Sequence, residues 1–310
     1  MRVAICIATY NRLEGLRRAL SGLALQQPVP AGNDPVEAEI VVIDNNPGGE
    51  AGAVVEELRP RLPWPLRYVH QPQRGLSHAR NAALDNADSA DFVAFLDDDE
   101  VPAADWFRCL IQAQRRSDAD VVAGPVLPIF ETVPPQWMTA GGFYEQARYP
   151  DGAVIKVAYT GNVLFRRPLV LALGLRFRDE LNLTGGEDVD FFSRLRLGGA
   201  RLRFVAAAVM YESIPRHRLT LGWLLRRWFR TGNCEAILYF DSHQGLAGRL
   251  VMAGRGVLRI GLGLAAFTAL VPLAALNRRH WLAARLYTVA RGCGMLASAF
   301  NLYYQEYAKG

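Results

Sequence analysis

Four consecutive carboxylates, from Asp97 to Glu100, directly follow the apolar segment Phe92 to Leu96. The apolar segment is typical of a buried strand, and carboxylates where such a strand ends repel one another unless a cation lies between them. Carboxylate oxygens suit Mg²⁺ or Mn²⁺, and Mg²⁺ usually takes one or two carboxylates plus phosphate oxygens. The string therefore predicts a metal site that also carries a phosphorylated substrate. A solvated acidic loop is the alternative for this string alone.

Two other polar segments follow predicted strands. The residues after the first strand are Thr9, Tyr10, Asn11 and Arg12. A hydroxyl, an aromatic ring and an amide at this position can bind a nucleobase and ribose, although alone they are also typical of a turn that starts a helix. Asp44 ends the second strand, where its carboxylate can accept from a base or from sugar hydroxyls. Taken alone, Asp44 is equally a turn-forming aspartate.

A basic residue and an acidic pair complete the set of candidate chemical groups. Arg80 follows small residues that would let the backbone approach a diphosphate while the guanidinium binds it in bidentate fashion. A solvated helix start is the alternative for this segment. Asp188 follows Gly185, Gly186 and Glu187 at a predicted helix start, where it can act as a general base toward a substrate hydroxyl. Acidic residues are also favoured at helix N-termini because of the helix dipole.

The elements that must position these groups alternate between strand and helix patterns over the first hundred residues. One apolar run begins at Val3, a mostly apolar run begins at Glu39, and leucines at helical spacing lie between them. This alternation predicts a doubly wound, mostly parallel sheet with ligands at the carboxyl ends of its strands. Further along, the patterns predict a helix from Ala103 to Gln114 and strands over Val157 to Arg167 and Arg201 to Met210. A helix is predicted from about Glu187 to Leu197.

The C-terminal region is more apolar than the rest. Ile260 to Leu276 carries no charge and lies between Arg255 and Arg259 on one side and Arg278 and Arg279 on the other. Seventeen residues is the lower limit for a bilayer span, and basic residues at both ends favour a shallow helical hairpin or an interfacial pair with the second apolar pattern, Trp281 to Tyr304. Two helices buried in a soluble core or a dimer interface are the alternative.

Composition limits the classes of function. Hydrophobic residues make up 51% of the 310 residues and the net charge is +5, which predicts a folded protein with an anionic partner. No recognised nucleic-acid motif accompanies the basic residues, so a phosphorylated ligand or an anionic lipid is favoured over nucleic acid. The four cysteines lack paired spacing and are expected to be reduced thiols of a cytosolic protein. We also expect no signal peptide, because the first strand begins at once.

Seven segments in this order resemble the inverting family 2 glycosyltransferases of the GT-A fold. The segments read CIATYNR, VVIDNN, RGLSHARNAAL, FVAFLDDDE, TGNVLFRR, TGGEDVDFF and LLRRWFRTG. The resemblance covers roughly residues 1 to 240 and is closest to bacterial exopolysaccharide enzymes of the succinoglycan glucosyltransferase type. Leu224 stands where processive relatives have a glutamine in this last segment, which favours a single sugar transfer.

The resemblance implies a role for each candidate residue. Those expected to bind the nucleotide-sugar donor are Thr9, Tyr10, Asn11, Arg12, Asp44, Arg80, Asp97, Asp98, Gly161, Asn162, Arg227 and Trp228. Asp97 and Asp99 would form the DxD pair that holds Mg²⁺ or Mn²⁺, and either Glu212 or His217 would complete the coordination shell. Asp188 would be the catalytic base, with Glu187 as the first acid of the pair.

The function expected from this resemblance is a metal-dependent, inverting transfer of a sugar from a nucleoside-diphosphate sugar to a saccharide acceptor. A polyprenyl-diphosphate-linked acceptor and a position on the cytoplasmic face of a bacterial inner membrane are expected, and the oligomeric state is left open. The expected division is a nucleotide-sugar half at 1–120, an acceptor half at 121–244 and a membrane-associating region at 245–310. A Mg²⁺-dependent phosphohydrolase and a non-catalytic nucleotide-sugar-binding protein are the alternatives.

Overall fold

The computed structural model describes residues 1–29, 35–272 and 279–305. The chain forms two compact units. The first comprises Met1–Ile129, Gln146–Asn182 and Glu187–Ser213, and the second comprises Phe130–Glu145, Leu183–Gly186 and Ile214–Gly310. The division expected at residues 120 and 244 separates regions by the ligand that each would bind, whereas these two units are defined by their internal packing. The expected division therefore stays a prediction.

A seven-stranded sheet forms the centre of the first unit. Its strands, in spatial order, are β3 (Leu66–His70), β2 (Glu37–Asp44), β1 (Arg2–Thr9), β4 (Phe92–Asp97), β8 (Val163–Arg166), β6 (Val121–Ala123) and β9 (Leu202–Phe204). Strand β8 is antiparallel to both neighbours, and the other neighbouring pairs are parallel. The mostly parallel sheet expected from the sequence is confirmed. A second, three-stranded sheet has the order β5 (Glu100–Pro102), β10 (Met210–Ile214), β7 (Val126–Phe130).

Helices of the first unit cover both faces of the large sheet. The α-helices are α1 (Leu13–Ala24), α2 (Ala51–Leu58), α3 (Leu76–Asp85), α4 (Trp106–Ser117), α5 (Gln136–Ala140), α6 (Arg167–Ala172), α7 (Glu187–Leu197), α8 (Leu221–Ser242), α9 (Gly245–Leu270) and α10 (Arg279–Ala299). Strand β1 shows why both faces are needed, since Ile5 and Ile7 belong to one buried cluster and Ala4 and Cys6 to another. A strand buried on both sides gives the continuous apolar run seen in the sequence.

Three predicted boundaries are wrong, each because the chain moves to the second sheet or closes a loop. Helix α4 begins at Trp106 rather than Ala103, since the preceding residues form β5 and the Ala103 amide donates to the carbonyl of Val209. Only Val163–Arg166 of the strand predicted over 157–167 is extended in the sheet. The strand predicted over 201–210 is two strands, because β9 belongs to the large sheet and β10 to the small one.

The second unit is mainly the helices α8, α9 and α10, and glycines allow the close approach of α10 to α8. A Cβ on Gly294 would lie 2.0 Å from the carbonyl oxygen of Phe229. The apolar segment expected from Ile260 to Leu276 belongs in part to helix α9, which begins earlier, at Gly245, and ends at Leu270. Residues 273–276 and Arg278 lie outside the described residues. In the described part of the chain, α9 is the one helix long and apolar enough to cross a membrane, and only 17% of its most apolar window is buried.

Candidate active site

The strand order places a candidate ligand site between β1 and β4. From β1 the chain proceeds to β2 and β3 on one side, whereas β4 lies on the other, so the two strands flank the point where the order reverses. Ligands of open α/β sheets bind outside the carboxyl ends of the strands at such a point. The register aligns Thr9 with Asp44 and Ala8 with Asp97, which brings three of the predicted site segments to one edge.

Asp98 joins the loop after β1 to the acidic string. Its carboxylate accepts hydrogen bonds from the Thr9 hydroxyl at 2.9 Å and from Nη1 of Arg12 at 3.0 Å. The same Arg12 nitrogen donates to Asp99 at 2.8 Å. Burial raises the pKa of Asp98 to about 6, even though the Arg12 charge opposes this shift. Asp98 is buried and satisfied by the chain, so it positions its neighbours.

Arg80 links the acidic string to the acidic pair at the start of α7. It is buried, its Nη2 donates to Asp97 at 3.4 Å, and its Nη1 forms an ion pair with Glu187. Asp188 follows Glu187 and is half-buried. Burial is the main cause of the raised pKa of Asp97, Arg80 opposes it, and the negative charges of Asp99 and Asp188 raise it further. Asp188 therefore lies within electrostatic range of the acidic string.

Two glutamates extend the acidic cluster, and the sequence reasoning gave no role to the first. Glu100 is buried and accepts from the amide of Asp97 at 2.9 Å, and antiparallel pairing of β10 with β5 places Glu212 opposite Glu100. Burial, followed by the charge of Asp97, raises the pKa of Glu100 well above its ordinary value. The signal in the sequence is that Glu100 is the fourth acid of the string. In the structure a Cβ on Gly161 would lie 2.3 Å from a Glu100 oxygen.

Two of the predicted donor-binding residues are engaged by the chain itself. Asp44 is buried and accepts from the amides of Asn46 and Ala51 and from the Tyr68 hydroxyl at 2.9 Å. Asn162 is also buried, and its amide donates to the carbonyls of Pro125 and Ala208 while its oxygen accepts from Trp106 at 2.8 Å.

Each polar atom of these two side chains thus has a partner within the protein. In this structure Asp44 fixes the turn into α2, and Asn162 holds the start of β8 against the loops that precede β7 and β10. Their predicted contacts with the donor stay predictions.

The start of α3 contacts Asn182, a residue that sequence reasoning missed. The Gly75 amide donates to Asn45 at 2.8 Å, and the Asn182 side chain accepts from the amide of His78 at 3.1 Å. Gly75 has φ 148°, and a Cβ there would lie 2.4 Å from the Asn182 oxygen, so only glycine fits. No sequence pattern links Asn182 to α3, because the contact spans about a hundred residues.

The remaining residues of the loop after β1 lie at the edge of the candidate site. Asn11 adopts φ 54° and accepts from Asn46 at 2.5 Å, which ties this loop to the turn after β2. The guanidinium of Arg74 lies 4.7 Å from the centre of the Tyr10 ring. Tyr10 is half-buried, so part of the ring is exposed at the carboxyl edge of the sheet.

Three predicted site residues belong to the second unit. His217 lies in the short 3-10 turn Arg216–Arg218, and Trp228 is buried in α8 with its ring 5.3 Å from that of Phe143. Arg227 lies over the Trp223 ring at 5.3 Å. Trp228 therefore contributes to the core of the second unit. Of the two candidates for completing a metal shell, Glu212 is the one that the first unit places beside the acidic string.

The donor set fits a divalent cation that takes further oxygens from a ligand. Asp97 and Asp99 supply carboxylate oxygens. Burial, and after it the charge of neighbouring carboxylates, raises the pKa of Asp97 and of Glu100, and a cation here would stabilise their charged forms. Among residues 1–29, 35–272 and 279–305, no group of three or more His, Cys, Asp or Glu side chains could by itself hold a metal. Mg²⁺ usually completes its shell with water and substrate phosphates.

A mostly parallel sheet with its candidate site at the switch point belongs to the doubly wound class of α/β folds. Solved structures share this fold. S. aureus TarS 1-349 in complex with UDP is 18% identical, with a TM-score of 0.56, and the match covers 98% of this chain and 93% of that one. GalNAc-T7 with UDP, GalNAc and Mn2+ is 15% identical, with a TM-score of 0.53, over 76% of this chain and 51% of that one.

The sequence comparisons identify the family. The profile of Glycosyl transferase family 2 matches residues 4–174, and that of Glycosyl transferase family group 2 matches residues 92–300. The Succinoglycan biosynthesis protein ExoM of Rhizobium meliloti (strain 1021) is 37% identical over 82% of this chain and 81% of its own length. A Pre-mycofactocin glycosyltransferase of Mycobacterium tuberculosis is 26% identical over 89% of this chain and 57% of its own. This chain belongs to glycosyl transferase family 2 and is a glycosyltransferase.

This finding confirms the resemblance and the fold class expected from the sequence. It also sets aside the phosphohydrolase alternative, because the family profiles together cover residues 4–300. The residue roles carried by the resemblance stay predictions.

Proposed function

We propose that this glycosyltransferase moves a sugar from a nucleoside-diphosphate sugar to a saccharide acceptor, with metal dependence and inversion at the anomeric carbon. The observation that carries the proposal is the Arg80 bridge, which contacts both Asp97 and Glu187. Arg80 would therefore fix the distance between the acidic string, where the donor diphosphate would bind, and Asp188, the base that follows Glu187 in the chain.

The donor would lie across the carboxyl ends of β1 and β4. Tyr10 and the loop after β1 would bind the nucleotide, with Arg12 held in place by Asp98 and Asp99. Two solved structures that share this fold contain UDP, which supports a nucleoside-diphosphate donor. Asp97 and Asp99, with Glu212 beside them, would hold Mg²⁺ or Mn²⁺, which when bound neutralises charge that develops on the departing diphosphate.

Asp188 would act as the general base. The acceptor hydroxyl oxygen forms a bond to the anomeric carbon as the bond from that carbon to the phosphate oxygen breaks, and the hydroxyl proton passes to the Asp188 carboxylate. The nucleoside diphosphate leaves with the bonding electron pair, and direct displacement inverts the configuration. Glu187 would not exchange this proton, because its carboxylate is buried against Arg80. Its role would be to fix the start of α7.

The cellular process proposed is exopolysaccharide synthesis with a lipid-linked acceptor, at the cytoplasmic face of a bacterial membrane. The similarity to a succinoglycan biosynthesis protein over most of both chains supports the process. The long, apolar and mostly unburied helix α9 supports contact of the second unit with a membrane surface.

The Asp188→Asn variant tests the base. We expect transfer to fall about 10²- to 10⁴-fold, the usual contribution of general acid–base catalysis, while donor affinity changes little. Glu180→Gln is the matched control, since Glu180 is an exposed acid of the turn that precedes α7. Nucleoside diphosphate release would measure transfer, and calorimetry would measure donor binding. Loss of donor binding in Asp188→Asn would show that the role is misassigned.

A further inference from the structure

A cavity of about 470 Å³ lies within the second unit, among helices α8, α9 and α10. Its walls combine the buried methionines Met252 and Met295 with charged and aromatic side chains. The volume lies in the range of small-ligand sites, which are mostly apolar with a few placed polar groups. No role in sugar transfer proposed above uses this cavity.

The charged residues of the cavity leave an excess of positive charge. Glu235 pairs with Arg259 at 3.6 Å and also with Arg291 from α10, so its charge is already compensated. Arg255 lies over the Tyr239 ring at 4.7 Å, and no carboxylate of the described residues pairs with it. The guanidinium of Arg255 is therefore available to an anion, and Arg259 lies one helical turn away on the same wall.

The cavity borders an exposed apolar face of helix α9. Leu258 lines the cavity and is nevertheless 61% exposed, and Leu262, one turn further, is also 61% exposed. The same helix exposes Leu250 and Leu246 toward its start. Exposed apolar surface of this extent marks an interaction site. A ligand that fits both features carries an anionic group joined to a hydrocarbon chain.

We propose that the cavity binds the phosphate headgroup of an anionic phospholipid whose acyl chains lie along the exposed face of α9. Arg255 donates its planar pair of N–H groups to the phosphate, Arg259 adds a second positive charge, and Leu258 and Leu262 contact the first carbons of the chains. A second copy of this chain would cover the apolar face, but it would leave the Arg255 charge without a partner. The proposal rests on the membrane association proposed above and adds a headgroup preference to it.

Vesicle sedimentation of the full chain tests this proposal. We expect binding to phosphatidylcholine vesicles that contain phosphatidylglycerol to be about tenfold tighter than binding to phosphatidylcholine alone. Arg255→Gln should remove about tenfold of affinity for the anionic vesicles, as expected for loss of hydrogen bonds to a charged group. Arg255→Lys should lose most of this tenfold affinity as well, because lysine keeps the positive charge but lacks the planar pair of N–H donors of the guanidinium.

The matched control is Arg285→Gln, which removes the same charge from an exposed position on α10 that does not line the cavity. Its effect should stay below about fivefold, the contribution of diffuse attraction to an anionic surface. The headgroup site would be overturned if Arg255→Gln and Arg285→Gln lowered the affinity for anionic vesicles equally and Arg255→Lys left that affinity unchanged. Equal binding to both vesicle types would do the same, whereas binding to neither would also remove the proposed membrane association. Transfer in detergent should be unchanged in all three variants.

Discussion

Replacing Arg80 by methionine is expected to destabilise the first unit more than any exposed ion-pair substitution. The side chain of Arg80 is 7% exposed and that of Glu187 is 3% exposed, so Arg80→Met leaves a carboxylate buried without its cation. One Glu187 oxygen already has no hydrogen-bond partner among the described residues. Breaking a buried pair from one side costs about 3–5 kcal/mol.

Denaturant unfolding of four proteins measures this cost: the wild type, Arg80→Met, Glu187→Met and the double variant. We expect the double variant to recover at least about 2 kcal/mol relative to Arg80→Met, because replacing both members of a buried pair is often nearly neutral. Arg17→Met is the matched control, since Arg17 pairs with Glu57 at 2.6 Å on an exposed surface, where such pairs are worth up to about 1 kcal/mol. The reasoning is refuted if Arg80→Met costs no more than Arg17→Met, or if the double variant shows no recovery.

The remaining predictions concern the acidic cluster. Burial raises the pKa of Asp98 to about 6, so the folded state holds this proton more tightly than the unfolded chain does, and its contribution to stability is lost as the pH rises from about 4 through 6. Burial also raises the pKa of Glu100, which shifts stability in the same direction. Burial likewise raises the pKa of Asp97, a proposed metal ligand, so protons compete with Mn²⁺ at low pH. Mn²⁺ should therefore raise the unfolding midpoint more at about pH 7.5 than at about pH 5.5 in thermal scans, and an equal rise at both would contradict this. Gly161→Ala should cost about 1–3 kcal/mol in denaturant unfolding, because its Cβ would displace Glu100. Gly222→Ala, whose Cβ would meet nothing closer than 3.8 Å, should be neutral or stabilising, and equal losses in both would refute the steric argument.

The parallel half of the large sheet is predictable from the sequence because its strands are buried on both faces and so read as apolar runs. β1 and β4 end within a residue of the polar segments that define the site. Since parallel strands share one carboxyl edge, the grouping of Thr9, Asp44 and Asp97 follows from topology alone.

The features of the fold and the site that the sequence did not predict depend on contacts between segments that are distant in the chain. Residues 205–209 turn the chain from the large sheet into the small one, and the amide of Val205 still donates to Ala123 before the change. Arg80 could be assigned to a diphosphate from its neighbours, but its pairing with Glu187 joins segments about a hundred residues apart. The resemblance implies a ligand contact for Asn162, whereas its three protein partners are seen only in the folded chain.

In the second unit the apolar composition predicts helices without showing how they pack. Gly232 and Gly294 let α8 and α10 approach until a Cβ would lie about 2 Å from a backbone oxygen, and single glycines in a helical pattern do not reveal this. The buried position of Trp228 likewise depends on Phe143 and Tyr287 from other segments.

A crystal structure of the protein with Mn²⁺ and a nucleoside diphosphate tests the central claim most directly. The account predicts an anomalous manganese peak in direct contact with an oxygen of Asp97 or Asp99 and with the diphosphate, at the edge where β1 and β4 end. A nucleotide bound elsewhere, or a manganese peak remote from both carboxylates, would contradict it.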